Sequence, residues 1–328
     1  MPTPSPERGD RSETSGTVAG LGEFGLIARI TGGRVQPRVT LLGPGDDAAV
    51  VAAPDGRVVA CTDMLVDGVH FRLDWSTPEQ VGRKAAAANL ADVAAMGAVP
   101  TALLVGLACP ADTPVETLTA LADGLWREAG VVGIGVVGGD VTSSATLMLS
   151  VTALGSLDGC EPVSRAGARA GDVVALCGRV GWAAAGLAVL KRGFRSPVAV
   201  VGAQRVPEPP YAAGPQAARA GATSMIDVSD GLLADLGHVA RASGVTLDVR
   251  APEVPARLAD VGAALGVDPV HWLLTGGEDH ALAATFPPDV TLPEGWTAIG
   301  TAREGAPEVL VRGRPYTGGP AGWDHFAR

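Results

Sequence analysis

The chain is poor in aromatic residues, with five Phe, two Tyr and six Trp among 328 residues, so its core must be built mainly from Ala, Val and Leu. Cysteine is scarce as well. Cys61, Cys109, Cys160 and Cys177 are far apart and form no CxxC pair, which argues for reduced thiols and against a disulfide framework or a zinc site. The five histidines form neither HxH nor HExxH, which weakens zinc further. Basic charge is outnumbered, 25 Lys+Arg against 35 Asp+Glu, so duplex nucleic acid is not an expected partner. No apolar stretch is long enough for a membrane span: Val93 to Cys109 is broken by Pro100 and reads as a helix end followed by a buried strand. The polar start MPTPSPERGDRSETSG lacks a signal-peptide core. A soluble, cytoplasmic protein is the expectation.

What is abundant is apolar residue, 47% against 18% charged, together with 45 Gly and 25 Pro that show no Gly-X-Y period. This composition supports a packed fold, and the length fits two domains. The expected division is a disordered tail over 1–18, an N-terminal domain over 19–155 and a C-terminal domain over 156–328, with the Gly/Arg-rich segment 164–171 as linker. Arg57 to Cys61 reads as a short strand that runs into Thr62-Asp63. Thr77-Pro78-Glu79-Gln80 is a helix start with Thr as N-cap, Pro at N1 and Gln at N3. The Ala-rich helix behind it carries Asn89 and Asp92 three residues apart, on one face. Thr113-Pro114 repeats that start for a helix to about Ala129, closed by Gly130. Strands are expected near 131–137, 146–154, 172–177 and 224–228, and helices near 182–190 and 231–242 with Gly244 as the last one's stop.

Gly20-Gly22-Gly25 and Gly133-Gly135-Gly138 match GxGxxG by letter, but neither sits between a strand and a helix, and no GxxxxGK[ST] occurs. The informative pattern is acidic. Asp46 and Asp47 lie in a Gly-rich loop, Asp63 at a strand end and Asp92 on an alanine helix. Asp140 follows Gly-Gly, and Asp227 and Asp230 flank Ser229 where a strand enters a helix. Any one of them alone is an ordinary turn residue. As a set at element ends they would repel one another unless cations intervened, and hard oxygen donors select Mg²⁺. Since Mg²⁺ commonly bridges to phosphate oxygens, a nucleoside triphosphate site follows, with the helix start at Asp230-Gly231 adding a positive dipole end. His70, Glu278-Asp279 and Trp323 taken singly could be structural.

The segments GPGDDAAVV (43–51), CTDMLVDGVHF (61–71), NLADVAAMGAVP (89–100), GGD (138–140), SRAGARAGD (164–172), IDVSDGL (226–232) and LTGGEDHAL (274–282) occur in one order. This ordered set resembles the thiamine-monophosphate kinase family of the aminoimidazole ribonucleotide synthetase-like superfamily, over about residues 20 to 328. The resemblance implies an α/β (α+β) two-domain fold, an N-terminal mixed sheet with helices plus a C-terminal α/β domain. It implies a homodimer that uses ATP and several Mg²⁺ ions to convert thiamine monophosphate to thiamine diphosphate by in-line transfer. By that resemblance Asp47, Thr62, Asp63, Asp92, Asp140, Asp227 and Asp230 would hold metal, with Cys61 contributing only its backbone carbonyl. Gly139, Asp140, Arg165 and Ser229 would contact ATP. Asp63, Asp92 and Asp140 would serve catalysis through metal, and Arg165 through the phosphates. His70, Glu278 and Trp323 would line the thiamine site.

Cys61, Asp123 and His280 depart from the family pattern, at positions where Ser, Tyr and Tyr are common. The rival readings are a sister ATP-dependent synthetase of the superfamily and a non-catalytic nucleotide-binding relative.

Overall fold

The structure is a computed structural model that describes residues 16–44 and 49–323. Its first unit runs α1 (Val18–Leu21), α2 (Glu23–Thr31), β1 (Thr40–Leu42), β2 (Val50–Val51), β3 (Val59–Val66), α3 (Pro78–Ala95), β4 (Val99–Cys109), α4 (Val115–Val131), β5 (Val136–Ser143) and β6 (Met148–Ser156). β1 and β2 make a small antiparallel ribbon, while the main sheet has the order β3-β6-β4-β5. Only β4 and β5 are parallel. A parallel pair needs a crossover, and α4 supplies it.

α3 carries the site, and its formation follows from its ends and its packing. Thr77 caps it in a complete capping box with Gln80, and Pro78 stands in the first turn, as the sequence predicts. Thirteen of its residues are buried. A helix apolar on nearly every side belongs inside the protein. Its backbone touches that of α4: a Cβ on Gly82 would stand 2.0 Å from the Leu121 carbonyl oxygen, and one on Gly124 would stand 2.0 Å from that of Glu79. Any larger residue at either position would push the helices apart.

The second unit runs β7 (Val173–Cys177), α5 (Trp182–Lys191), α6 (Val198–Arg205), α7 (Ala213–Arg219), β8 (Ser224–Val228), α8 (Leu232–Ser243), β9 (Thr246–Val249), α9 (Ala256–Leu265), α10 (Pro269–Thr275), β10 (Ala281–Phe286), β11 (Trp296–Arg303), β12 (Val309–Val311) and β13 (Arg314–Pro315). Its sheet has the order β13-β12-β9-β11-β7-β10-β8, antiparallel except for β9 with β12. Period-two alternation sends Val174, Leu176, Ile226 and Val228 into one core. Ala175, Cys177, Met225, Leu282 and Phe286 enter a second core on the opposite face, where Ala94 and Ala95 of α3 join them. The second sheet is therefore covered on both faces, and α3 is shared between the units. The first sheet packs Leu149, Val151 and Ala153 against α3 and α4. Its other face carries Thr62 and the half-exposed Met64.

Several element bounds differ from the sequence reading. β3 does not stop at Cys61; it pairs with β6 as far as Val66, so Thr62 and Asp63 lie inside the strand and point to opposite faces. β5 begins at Val136 rather than Val131, which places Asp140 mid-strand. Pro114, not Thr113, is the N-cap of α4, because its ψ of 137° is extended rather than helical. That helix passes Gly130, and Gly133, at φ +73°, takes the left-handed position after it. Thr17 and Val18, assigned to the tail, are ordered: Thr17 caps α1 and the Val18 N–H donates to the Thr113 carbonyl at 3.1 Å. The rest of the expected tail, residues 1–15, lies outside the described residues, as do Asp46 and Asp47. The 164–171 segment lies along β8, with Ser164 accepting from the Met225 N–H at 3.2 Å. Among the described residues no helix is long and apolar enough to cross a membrane.

Candidate active site

β3 is an edge strand, so the Asp63 N–H on its free side needs a partner. Asn89, fully buried on α3, accepts that hydrogen bond at 3.0 Å and anchors itself by donating to the Ala85 carbonyl at 3.0 Å. Asp92 follows Asn89 by nearly one helical turn, and the anchor brings its carboxylate against that of Asp63. Asp227, at the end of β8, approaches the same corner from the second unit. Burial raises the Asp92 carboxyl to about 8, and the charges of Asp227 and Asp63 add to the rise while His280 opposes it. The Cys61 thiol donates to the Asn89 carbonyl at 3.3 Å. Burial and the neighbouring Asp92 and Asp63 charges push that thiol far up, so it stays protonated.

The segment Gly276 to His280 closes the corner. Glu278 and His280 both adopt left-handed backbone, at φ +71° and +53°, an uncommon conformation for side chains of this size. The turn is held by N–H donations from Glu278 to the Ser229 carbonyl (2.8 Å) and from His280 to that of Val228 (3.1 Å). A Cβ on Gly277 would stand 2.0 Å from the Ser229 oxygen, so only glycine permits this approach. Between the two strained residues, Asp279 accepts from the Ala183 N–H at 3.0 Å at the start of α5, and burial lifts its carboxyl to about 7.

His280 Nδ1 donates to Asp227 Oδ2 at 3.0 Å, both side chains being buried. Burial alone would lower His280, but the bond to Asp227 and the charges of Asp227, Glu278 and Asp92 outweigh it and raise it to about 9. It is therefore an imidazolium at neutral pH.

On the other side of the same turn, Glu278 forms an ion pair with Lys84 of α3. Burial alone would raise its carboxyl, yet the charges of Lys84, His280 and His70 hold it below the usual range. His70 is fixed by accepting the Val66 N–H on Nδ1 at 3.0 Å. At the start of α8, Asp235 Oδ2 accepts from the N–H groups of Asp230 and Gly231 at 3.1 and 2.9 Å. Burial raises Asp235 to about 7, with the Asp227 charge adding to it. The Trp323 N–H donates to the Asp230 carbonyl at 2.9 Å, and its side chain is largely exposed.

One chain thus draws together Asp63, Asp92 and Asp227, with Ser229 and Asp230 on the adjoining loop, and sets His70 and Glu278 at a second corner along α3. It does not bring Thr62, Asp140 or Gly139 to that place. Thr62 points to the opposite face of the sheet, where its hydroxyl donates to the Val151 carbonyl at 3.0 Å and accepts from Thr152 at 3.1 Å. Asp140 lies on β5, three strand spacings or roughly 14 Å across the sheet from β3. Its register with Gly106, and through it with Ser150, turns it toward the open face. Gly139 has no room for a side chain, since a Cβ would stand 2.0 Å from the Val105 oxygen. The Arg165 carbonyl accepts from the Ser243 hydroxyl at 2.8 Å, beside the far end of α8. Asp123 forms an ion pair with Arg34, which stacks over Trp126 at 5.6 Å, so this departure has a structural partner.

Among the described residues no three His, Cys, Asp or Glu side chains converge as a ready metal cage. Two cavities of about 180 and 380 Å³ lie elsewhere, the first lined by Val51, Arg57 and Thr101 and the second by Asp67, Asp112 and Thr117. Lys84 and Asp235 are site residues that the sequence reading passed over, and Asp279 enters it only as a turn residue. A single lysine at the head of the run KAAAANLAD was the available signal for the first, and an acid in the first turn after Asp-Gly for the second.

The profile described as AIR synthase related protein, N-terminal domain, matches residues 45–157. The chain is 53% identical over 315 residues to the thiamine-monophosphate kinase of Mycobacterium tuberculosis (strain ATCC 25618 / H37Rv), covering 95% of this chain and 94% of that protein. The corresponding kinase of Corynebacterium glutamicum is 42% identical over 305 residues, 90% of each chain. Among solved structures, AaThiL complexed with AMPPCP and TMP aligns with a TM-score of 0.77 at 32% identity, covering 93% of this chain and 97% of that one. A hydrogenase maturation protein of E. coli shares the fold, with a TM-score of 0.66 at 18% identity.

Proposed function

Since the chain belongs to the thiamine-monophosphate kinase family, we propose that the two corners along α3 are the donor and acceptor sides of one active centre. The enzyme phosphorylates thiamine monophosphate to thiamine diphosphate with ATP as donor. The observation that carries the reaction is the 53% identity across nearly the whole of both chains. A phosphate monoester has a second pKa near about 6 and is mostly dianionic at neutral pH. It needs no base to become a nucleophile. It needs relief from repulsion as it nears a polyphosphate.

The donor set fits Mg²⁺, because Asp63, Asp92 and Asp227 are hard carboxylate oxygens and Asp92 is lifted by burial and by the charges of Asp227 and Asp63, which a cation would offset. We assign Asp63, Asp92, Asp227 and Asp230 to that cation, and Thr62 and Asp140, which lie on the open face of the sheet, together with Asp47 and the Cys61 carbonyl, to further Mg²⁺ ions. When bound, Mg²⁺ neutralises phosphate oxygens and aligns donor and acceptor for in-line transfer. Asn89 fixes β3 to α3 so that Asp63 and Asp92 stay opposed, and His280 orients Asp227 and offsets its charge. Gly139, Arg165 and Ser229 are assigned to ATP. His70, Glu278 and Trp323 are assigned to thiamine, the tryptophan by stacking.

We further propose a homodimer through the open face of the four-stranded sheet, with the boundary between units near residue 155. That face holds Thr62, Met64 and Asp140, so a second copy would supply the neighbours that Asp140 lacks among the described residues of its own chain. Met64→Glu should shift the protein toward monomer in light scattering; an unchanged mass would remove this interface.

The reaction is tested by ADP release from Mg-ATP with and without thiamine monophosphate. Acceptor-dependent release is expected. Release with formylglycinamidine ribonucleotide or selenide instead would point to a sister synthetase, and ATP binding without turnover to a non-catalytic relative.

A further inference from the structure

Lys84 is the one charged residue of α3 that is buried, with 4% of its surface exposed. An ammonium has three protons to donate. Here they meet the His70 carbonyl at 3.2 Å, the Gln204 carbonyl at 3.4 Å and Glu278 Oε2. All three are committed, so Lys84 has no proton left for a substrate. Its contacts join the loop after β3, the end of α6 and the strained turn before β10, which come from both units. Glu278 itself keeps 42% of its side chain exposed, and its Oε2 is the oxygen taken by Lys84.

We propose that Lys84 is a positioning residue for the acceptor: it pins Glu278 by one oxygen so that Oε1 is presented, at a fixed place and ionised, to the aminopyrimidine N–H of thiamine monophosphate. This rests on the assignment of Glu278 to the thiamine side. The same cation holds the His70 carbonyl, so one buried charge sets two acceptor-lining segments together. A carboxylate already paired with an ammonium is also a directional hydrogen-bond acceptor rather than a bare counter-ion, which favours a ligand with an N–H to give.

The test is a kinetic cycle on the full-length enzyme with saturating Mg-ATP, comparing wild type, Lys84→Met, Glu278→Gln and the double variant. Lys84→Met is expected to raise KM for thiamine monophosphate by about tenfold or more, with KM for ATP within about twofold of wild type. In the Glu278→Gln background the same change should add less than about threefold. Lys84→Arg, which keeps the charge, should recover part of the loss. An unchanged acceptor KM, an undiminished effect without the Glu278 carboxylate, or an equal rise in KM for ATP would each overturn the proposal. If Lys84→Met does not fold, Lys84→Gln carries the cycle, since its amide can still donate to a carbonyl. Failure of the functional reading itself is distinct, because the wild-type enzyme would then release no acceptor-dependent ADP.

Discussion

The two corners along α3 hold carboxylates in opposite electrostatic states. At one, Asp92 faces Asp63 and Asp227, and burial with like charge drives its carboxyl up to about 8. At the other, Glu278 faces Lys84 and is held below its usual range. The Lys84 corner is complete as it stands, every proton of its cation being used. The aspartate corner is incomplete, and His280 offsets only part of its charge. The difference shows how burial alone says little about a carboxylate: its neighbours decide whether it is finished or waiting for a cation.

The largest expected effect breaks the first corner. Asp92→Asn should lower kcat by at least about a hundredfold, as loss of a charge that serves phosphoryl transfer does. The same change should make the metal-free protein more stable, by about 1 kcal/mol, because the fold no longer has to keep a proton on a carboxyl that the unfolded chain ionises. Steady-state kinetics and thermal melting with EDTA check the two halves. Asp63→Asn should show the same loss of turnover with the fold intact by circular dichroism.

Next in size is the response to cation. At a hundred times its dissociation constant, Mg²⁺ should stabilise the wild type by about 2.7 kcal/mol, which is several degrees in melting temperature. Asp92→Asn should lose most of that shift. An equal shift in both proteins would take Asp92 out of the cation site.

A smaller effect follows from pH. Asp92, Asp235 and Asp279 have folded values raised from 3.8 to about 8, 7 and 7. The folded state keeps protons that the unfolded chain has released, so these groups cost stability as pH rises from about 4 to 8. His280, raised from 6.5 to about 9, stabilises fully below 6.5 and loses that contribution as pH rises through 9. Both act in one direction. Metal-free melting temperature should fall from pH 5 to 9, and less steeply in Asp92→Asn. The smallest change should come from Cys61→Ser, whose hydroxyl can make the same donation to Asn89; turnover should stay within about twofold.

Much of the fold was legible in the chain. Thr77-Pro78 and Gln80 fix the start of α3 by local capping, and Gly244 ends α8 in left-handed backbone, so both were readable from a few adjacent residues. The strand bounds around the site were not. β3 continues past Cys61 because β6, more than eighty residues away, pairs with it to Val66, and no local signal carries that. The same pairing decides that Asp63 faces α3 while Thr62 faces away. The set Asp63, Asp92 and Asp227 was visible as acids at unusual places. Lys84 escaped notice, and Asp279 reads only as a turn residue, because their roles depend on partners in distant segments.

α3 also works as a ruler. Lys84 and Asp92 are eight residues apart on one uninterrupted helix, a rise of about 12 Å. The backbone contact through Gly82 and Gly124 seats that helix against α4 with no slack to slide. On the proposed assignment of donor and acceptor sides, the span between the two corners is set by helical geometry, and a longer or shorter acceptor would miss one of its two stations.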